Sequence, residues 1–261
     1  FAVQARELTQ SQTQLQNQIE RFGDHVFKHG SMVIPGNIGL DLEYYAVKLT
    51  SIASANTLAQ FTTGTLLTGG SSGVIAEIVG TEALSGSDPD TLYVKYNKTG
   101  TNNTAAVFSD DETITGTNSD SVALSAVVST TATGSAATVK QGVYYLNGFF
   151  VQCDDETLIL DKYTNTPSYR IGFTITESFV TPNDDTSLND NATGSSNVNA
   201  PGAHRFKIQL TLAKKTLSST EDSNFFEILR VENGRVKGQA RATEYNILEE
   251  TLARRTFDES G

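Results

Sequence analysis

The stretch Gly142-Val143-Tyr144-Tyr145-Leu146-Asn147-Gly148-Phe149-Phe150-Val151 decides the fold class. Two aromatic and β-branched runs flank Asn-Gly, a dipeptide that tolerates positive φ at both positions of a two-residue turn, so the stretch predicts a β-hairpin. The same rule recurs where Ile228-Leu229-Arg230-Val231 and Arg235-Val236 flank Glu232-Asn233-Gly234. Between the two hairpins, Tyr169, Ile171, Phe173 and Ile175, and then Phe206, Ile208, Leu210 and Leu212, alternate with polar partners. That period of two predicts a half-buried antiparallel sheet. The connection over 181–204 is polar, rich in Asn and Asp, and too long for a hairpin; loops of that length often carry function or partner contacts.

Upstream, Leu42, Tyr44, Ala46 and Lys48 alternate with Glu43, Tyr45, Val47 and Leu49, which predicts a strand whose buried face is ambiguous. From Phe61 to Lys140, 39 of 80 residues are Gly, Ser, Thr or Asn, a proportion that would suit a linker. Short β-rich runs at 74–79, 92–96, 105–108 and 122–128 point instead to a small inserted barrel or sandwich. Near the end, Thr243 is placed to cap a short helix in which Tyr245, Leu248 and Leu252 share a face and which stops near Arg254-Arg255.

The first thirty residues follow a different period. Phe1, Ala5, Leu8, Gln12, Leu15, Ile19, Phe22, Val26 and His29 fall at alternating steps of four and three, the heptad seam of a coiled coil. Ala5, Leu8, Gln12, Leu15, Ile19, Phe22 and Val26 form the expected oligomerisation seam, and the polar Gln12 within it is a means of fixing register and strand number. A helix of about 28 residues would reach about 40 Å, long for one docked on a small sheet. The seam therefore points to copies of itself; the alternative is an amphipathic helix packed on its own chain. Gly23 and Gly30 weaken its last turns, and Pro35 lies beyond its end. The fold class is thus mainly β: an N-terminal coiled-coil helix, then antiparallel β-sandwich or barrel domains and a short C-terminal helix. Residues 1–30 form the oligomerisation helix, 31–60 with 136–261 the antiparallel β-domain, and 61–135 the inserted Gly/Thr-rich module.

Composition narrows the function classes. The 261 residues carry 30 acidic and 19 basic side chains, a net charge of −11, which argues against a sequence-independent grip on nucleic acid. No apolar run is long enough to span a bilayer, so neither nucleic acid nor membrane is an expected partner. The single Cys153 excludes an intrachain disulfide or a multi-cysteine zinc site. The polar, Gln-rich amino terminus does not read as a signal peptide. The chain runs from Phe1, not a methionine, to Asp258-Glu259-Ser260-Gly261, and is expected to be part of a longer protein.

Chemical motifs are sparse. Gly69-Gly70-Ser71-Ser72-Gly73 spells the G-x-S-x-G of a nucleophile elbow, but a strand rather than a helix is expected after it. His25 and His29 stand four apart on the expected helix without the Glu or third ligand of a zinc site. Asp184, Asp185, Asn189 and Asp190 crowd one loop but fail the EF-hand spacing, and Asp154-Asp155-Glu156 lack a partner acid for glycoside hydrolysis. No enzyme, cofactor or metal is expected.

Several blocks resemble a known family. The segment QARELTQSQTQLQNQIERFGDHVFKHGSMVIPG from Gln4 to Gly36, GVYYLNGFFV from Gly142, LDKYTNTPSYRIGF from Leu160, NAPGAHRFKIQLTLAKK from Asn199, FFEILRVENG from Phe225 and TEYNILEETLARRTFDESG from Thr243 are similar to structural proteins of tailed bacteriophages, common in cyanophages and related myophages. The resemblance implies a virion component of the baseplate or tail-fibre apparatus, assembled in the host cytoplasm, and brings no catalytic residues. Its setting implies a homotrimer whose sheets and 181–204 loop contact neighbouring tail proteins. The rival reading is a receptor-binding adhesin for host surface glycans, which exposed Tyr93 and Tyr96 on one face would support; a depolymerase is less favoured because no solenoid repeat is visible.

Overall fold

The computed structural model describes residues 5–189, 204–220, 223–240 and 245–260. Both Asn-Gly turns form. Asn147 and Gly148 take φ of 46° and 87° between β8 (Gly142–Leu146) and β9 (Phe149–Cys153). Asn233 and Gly234 take 48° and 72° between β13 (Phe225–Glu232) and β14 (Arg235–Gln239). The two alternating runs become β11 (Tyr169–Val180) and β12 (Arg205–Thr216), paired antiparallel from Tyr169↔Thr216 to Val180↔Arg205. Together they give the four-stranded sheet β12-β11-β13-β14.

The Gly/Thr-rich stretch folds around a closed ring. It supplies β3 (Leu66–Gly69), β4 (Ile75–Glu82), β5 (Thr91–Lys98), β6 (Thr113–Thr117) and the start of β7 (Ala123–Val139). Hydrogen bonding runs β7-β2-β5-β4-β3-β6 and returns from β6 to β7, so β2 (Ile38–Ile52) completes a six-stranded antiparallel barrel without free edges. Ala126 marks the closure, pairing with Ile114 on one side and Ile52 on the other. Val47, Leu67, Ile78, Val94, Ile114 and Val128 fill the interior. The expected strand at 105–108 is not one. Ala105 follows a short 3-10 turn (Thr101–Asn103), and Phe108 is a buried plug whose N–H donates to the Tyr96 hydroxyl at 3.2 Å. The strands β3 and β6, each only four or five residues long, were not expected.

The ambiguous face of β2 has a physical cause: the strand is buried on both sides. Val47 and Leu49 face the barrel interior, while Tyr44 and Ala46 pack outside it with Tyr93 and Ala136, beneath Ile159 and Tyr163. A strand covered on both faces loses simple alternation.

A second core lies where the sheet β1-β8-β9, with β1 spanning Ser31–Ile34, faces the β11 and β12 sheet. Tyr144, Phe173 and Phe226 meet there with ring centroids 5.2 to 5.7 Å apart. The far halves of β2 and β7, together with β10 (Glu156–Asp161), close its side through Ile38, Ala137, Val139 and Leu160.

The N-terminal helix α1 (Ala5–Asp24) stops earlier than the heptad pattern implies. Gly23 lies flat on the Tyr145 ring, where an added Cβ would come within 2.3 Å of it, and Phe27 is pulled into the body beside Tyr145 and Phe150. The chain must turn at His25 and Val26 to place Phe27 there, with Phe27 N donating to Gly23 O at 2.7 Å. The C-terminal helix α2 (Asn246–Ser260) runs past Arg254-Arg255, because two charged residues without Gly or Pro do not terminate a helix. Its expected cap, Thr243, lies outside the described residues.

Candidate assembly surface

One face of α1 holds it to the body. Gln16, Glu20 and Gly23, at steps of four and three, lie over the β8-β9 hairpin. Gln16 Nε2 donates to Gly148 O at 2.8 Å. The Tyr145 hydroxyl donates to Glu20 O at 3.0 Å and to Asp24 Oδ1 at 2.7 Å. Burial pushes the Tyr145 phenol above its ordinary range, and the Asp24 carboxylate adds to that shift. Gly148 has a second reason to be glycine, since a Cβ there would meet the Glu20 side chain at 2.7 Å. Below the helix end, Phe27 and Tyr245 stack at 5.8 Å, Ile247 N donates to Val26 O at 3.3 Å, and Lys28 pairs with Glu250, so α2 leaves from the point where α1 ends.

The heptad seam lies on another face. At 100° per residue, Leu8, Gln12, Leu15, Ile19 and Phe22 centre about 90° around the helix from Gln16, Glu20 and Gly23. Leu8, Leu15 and Phe22 are 61%, 59% and 67% exposed, Gln12 is exposed, and Ile19 is half-buried. Val26 is half-buried in the turn after the helix, and the side chain of Ala5 lies outside the described residues. The helix therefore docks on its own chain and still presents the apolar stripe outward.

The remaining motifs have structural explanations. Ser71 and Ser72 form no elbow, because Ile75–Glu82 is a strand and both serines serve Glu112. This buried carboxylate accepts from Ser71 N (3.1 Å), Ser71 Oγ (2.9 Å), Ser72 N (2.9 Å), Ser72 Oγ (2.8 Å) and Ser109 N (2.7 Å). Burial pushes its pKa up, but the donors from Ser72, Ser109 and Ser71 outweigh that and hold it below the usual carboxylate range. His25 and His29 lie beyond the helix, not on one helical face; His25 Nδ1 contacts Arg21 O and His29 stands edge-on to Phe226. Asp184 accepts from Thr181 N and Oγ1, and Asp185 from Ser187 N, as turn-forming side chains, while Asp190 lies outside the described residues. Among the described residues no three His, Cys, Asp or Glu side chains are placed to hold a metal ion, and no helix is long and apolar enough to cross a membrane.

Tyr93 is only 3% exposed, with its hydroxyl on Glu82 at 2.5 Å, and Tyr96 is wedged between Tyr45 and Phe108, so neither offers the open aromatic face expected of a glycan platform. Tyr93 is buried because β5 belongs to the barrel wall and is covered outside by the 159–163 segment. The charged side chains along that wall are paired: Lys48 with Asp88 at 3.1 Å, and Lys162 with Glu82 at 2.6 Å and Asp88 at 3.7 Å. They fasten the segment to the barrel.

A closed β-barrel fused through shared strands to a β-sandwich, with a docked helix at one end, defines the class of protein. A family model described as a domain of unknown function, DUF4815, matches residues 86–261, about two thirds of the chain, and the protein belongs to that family. The match begins in the loop before β5 and so takes in β5 to β14 and α2. No curated protein and no solved structure matches the chain.

Proposed function

We propose that this chain is a non-enzymatic structural subunit of a bacteriophage tail, in the baseplate or tail-fibre apparatus, that self-associates as a trimer by coiled-coil pairing of α1. One observation carries the self-association reading: α1 is fixed to its own body by Gln16, Glu20 and Gly23, while Leu8, Leu15 and Phe22 point away into solvent. An amphipathic helix that used its apolar face for its own core would bury that stripe. Gln12 in the seam supplies register at some cost in stability. The virion setting, assembly in the host cytoplasm and contacts with neighbouring tail proteins rest on the sequence blocks that resemble phage structural proteins. The non-enzymatic reading is supported by the serines and carboxylates described above being committed to internal hydrogen bonds and ion pairs.

The test is the solution mass of the full chain and of a Leu8→Ser/Leu15→Ser variant by light scattering. A trimer that becomes a monomer supports the reading. A monomeric parent chain at tens of micromolar, or a variant that stays trimeric, overturns it.

A further inference from the structure

A second apolar feature lies at the end of the molecule toward which α1 projects. On β11 and β12 the core-facing residues continue past the core: Ile175 pairs with Leu210, Glu177 with Ile208, and Phe179 with Phe206. Ile175 and Leu210 are buried, but Phe179 and Phe206 are 68% and 45% exposed. Phe206 touches Phe149 at 5.7 Å and Phe179 at 5.6 Å, giving a row of three phenylalanine rings interrupted on its inner side only by Glu177.

The β8-β9 turn locates this row relative to α1. Gln16 binds Gly148 O on one side of the turn, and Phe149 meets Phe206 on the other. A small cavity of about 330 Å³ lined by Asn147, Ile175, Glu177, Ser223 and Asn224 places the ribbon beside the same turn. Residues 5–15 of α1 carry the helix roughly 16 Å beyond Gln16. Three cross-strand pairs, from Ser178↔Lys207 to Val180↔Arg205, carry the ribbon roughly 10 Å beyond Glu177. Both extensions leave from one end of the body, and a bare two-stranded extension is marginal in water without something to pack on.

We propose that the Phe149-Phe206-Phe179 row is a second self-association surface, covered by another copy of this chain when α1 helices pair. This rests on the α1 reading above. A second copy is the fitting occupant because parallel pairing along α1, as in the trimer proposed above, brings the ribbons of the copies to the same end. The rings themselves offer carbon surface without the hydroxyl or amide groups that would orient a sugar or a phosphate.

The experiment is a dilution series of the full chain followed by light scattering, with Phe179→Ser/Phe206→Ser and Leu8→Ser/Leu15→Ser variants alongside, and circular dichroism to verify folding. The ribbon variant is expected to keep associating but to dissociate at a concentration roughly tenfold higher than the parent, which for a monomer–trimer equilibrium is about 2.7 kcal/mol per trimer. The α1 variant is expected to be monomeric throughout. A ribbon variant that dilutes like the parent overturns the proposal and leaves the α1 reading standing; a monomeric parent overturns both. Should the ribbon variant misfold, Phe179→Cys decides. Cys153 is buried, so a short bis-maleimide joining chains through position 179 supports the proposal, and absence of joined chains under conditions where the parent is oligomeric overturns it.

Discussion

Replacing Glu112 with Gln tests whether the Gly69–Gly73 loop is a structural clasp. Glu112 is buried and carries no cationic partner among the hydrogen bonds to its carboxylate; five donors from Ser71, Ser72 and Ser109 satisfy it. One oxygen takes three of them and the other takes two. Glutamine keeps one acceptor oxygen and turns the other into an NH₂ group. With its oxygen on the three-donor side, the NH₂ faces the Ser109 N–H, which is left unpaired, and the Ser72 hydroxyl must turn to accept. An unpaired buried donor costs about 1–3 kcal/mol, and weakening of the charge-assisted bonds adds a comparable amount, so Glu112→Gln should cost about 3 kcal/mol. For a chain of this size that is a fall in Tm of roughly 6–12 °C by thermal circular dichroism. The pH dependence has a definite sign. Glu112 is held below its unfolded value near 4.3, so its contribution is fully present above that pH and is lost as pH falls through the lower folded value. The gap between parent and variant should therefore be constant from pH 6 to 8 and close below about pH 4. A Tm within 2 °C of the parent at pH 7, or a gap that persists unchanged at pH 3, would refute the clasp.

Other outcomes follow from the same contacts. Gly23→Ala should loosen α1 although alanine is the better helix former by about 1 kcal/mol, because the new Cβ meets the Tyr145 ring; faster proteolytic release of the amino-terminal segment checks it, and slower release would show that propensity wins. Leu15→Ser/Phe22→Ser should abolish self-association while changing the stability of the monomer by less than about 0.5 kcal/mol, as read by urea denaturation. Arg170→Ala should cost about 2 kcal/mol, because it removes the guanidinium that binds Glu227 and Ser219 O and leaves the carboxylate to the more exposed Arg230. A double variant with Glu227→Gln should cost less than the sum of the two single changes.

The β-hairpins were legible because Asn-Gly between apolar runs states a local conformation that needs no tertiary help, and the long strands β11 and β12 because one face stays wet along much of their length. The heptad stripe was legible as a pattern, but the pattern is silent on the other face of the helix. The signals that α1 docks are Gly23, Phe27 and the Gln16/Glu20 pair, and their meaning appears only once Tyr145 and Gly148 are brought against them. Barrel closure was hidden for a similar reason. The strands β3 and β6 are too short for a period to register, and β2 is buried on both faces. An adhesin would have needed Tyr93 and Tyr96 exposed on one face, but three residues apart on a wall strand they point to opposite sides, Tyr93 under the outer cover and Tyr96 half-buried between Tyr45 and Phe108. Phe179 and Phe206 sit in ordinary alternation, and nothing local says that the core ends at Ile175.

The antiparallel pair β2 and β7 runs through both barrel and sandwich, from Ile38↔Val139 to Ile52↔Ala126, a spine of roughly 50 Å whose register shifts between Asp41 and Tyr44 and twice more between Lys48 and Ser51. Its mechanical consequence is stiffness. Tension applied along the strands loads the rungs of this ladder in parallel, as shear, instead of peeling them one after another, and the β8 hairpin that grips α1 follows β7 directly in the chain. A pull entering at the helix is thus handed to a ladder that both cores share, and the shift between Asp41 and Tyr44 marks where that ladder passes from the sandwich core to the barrel.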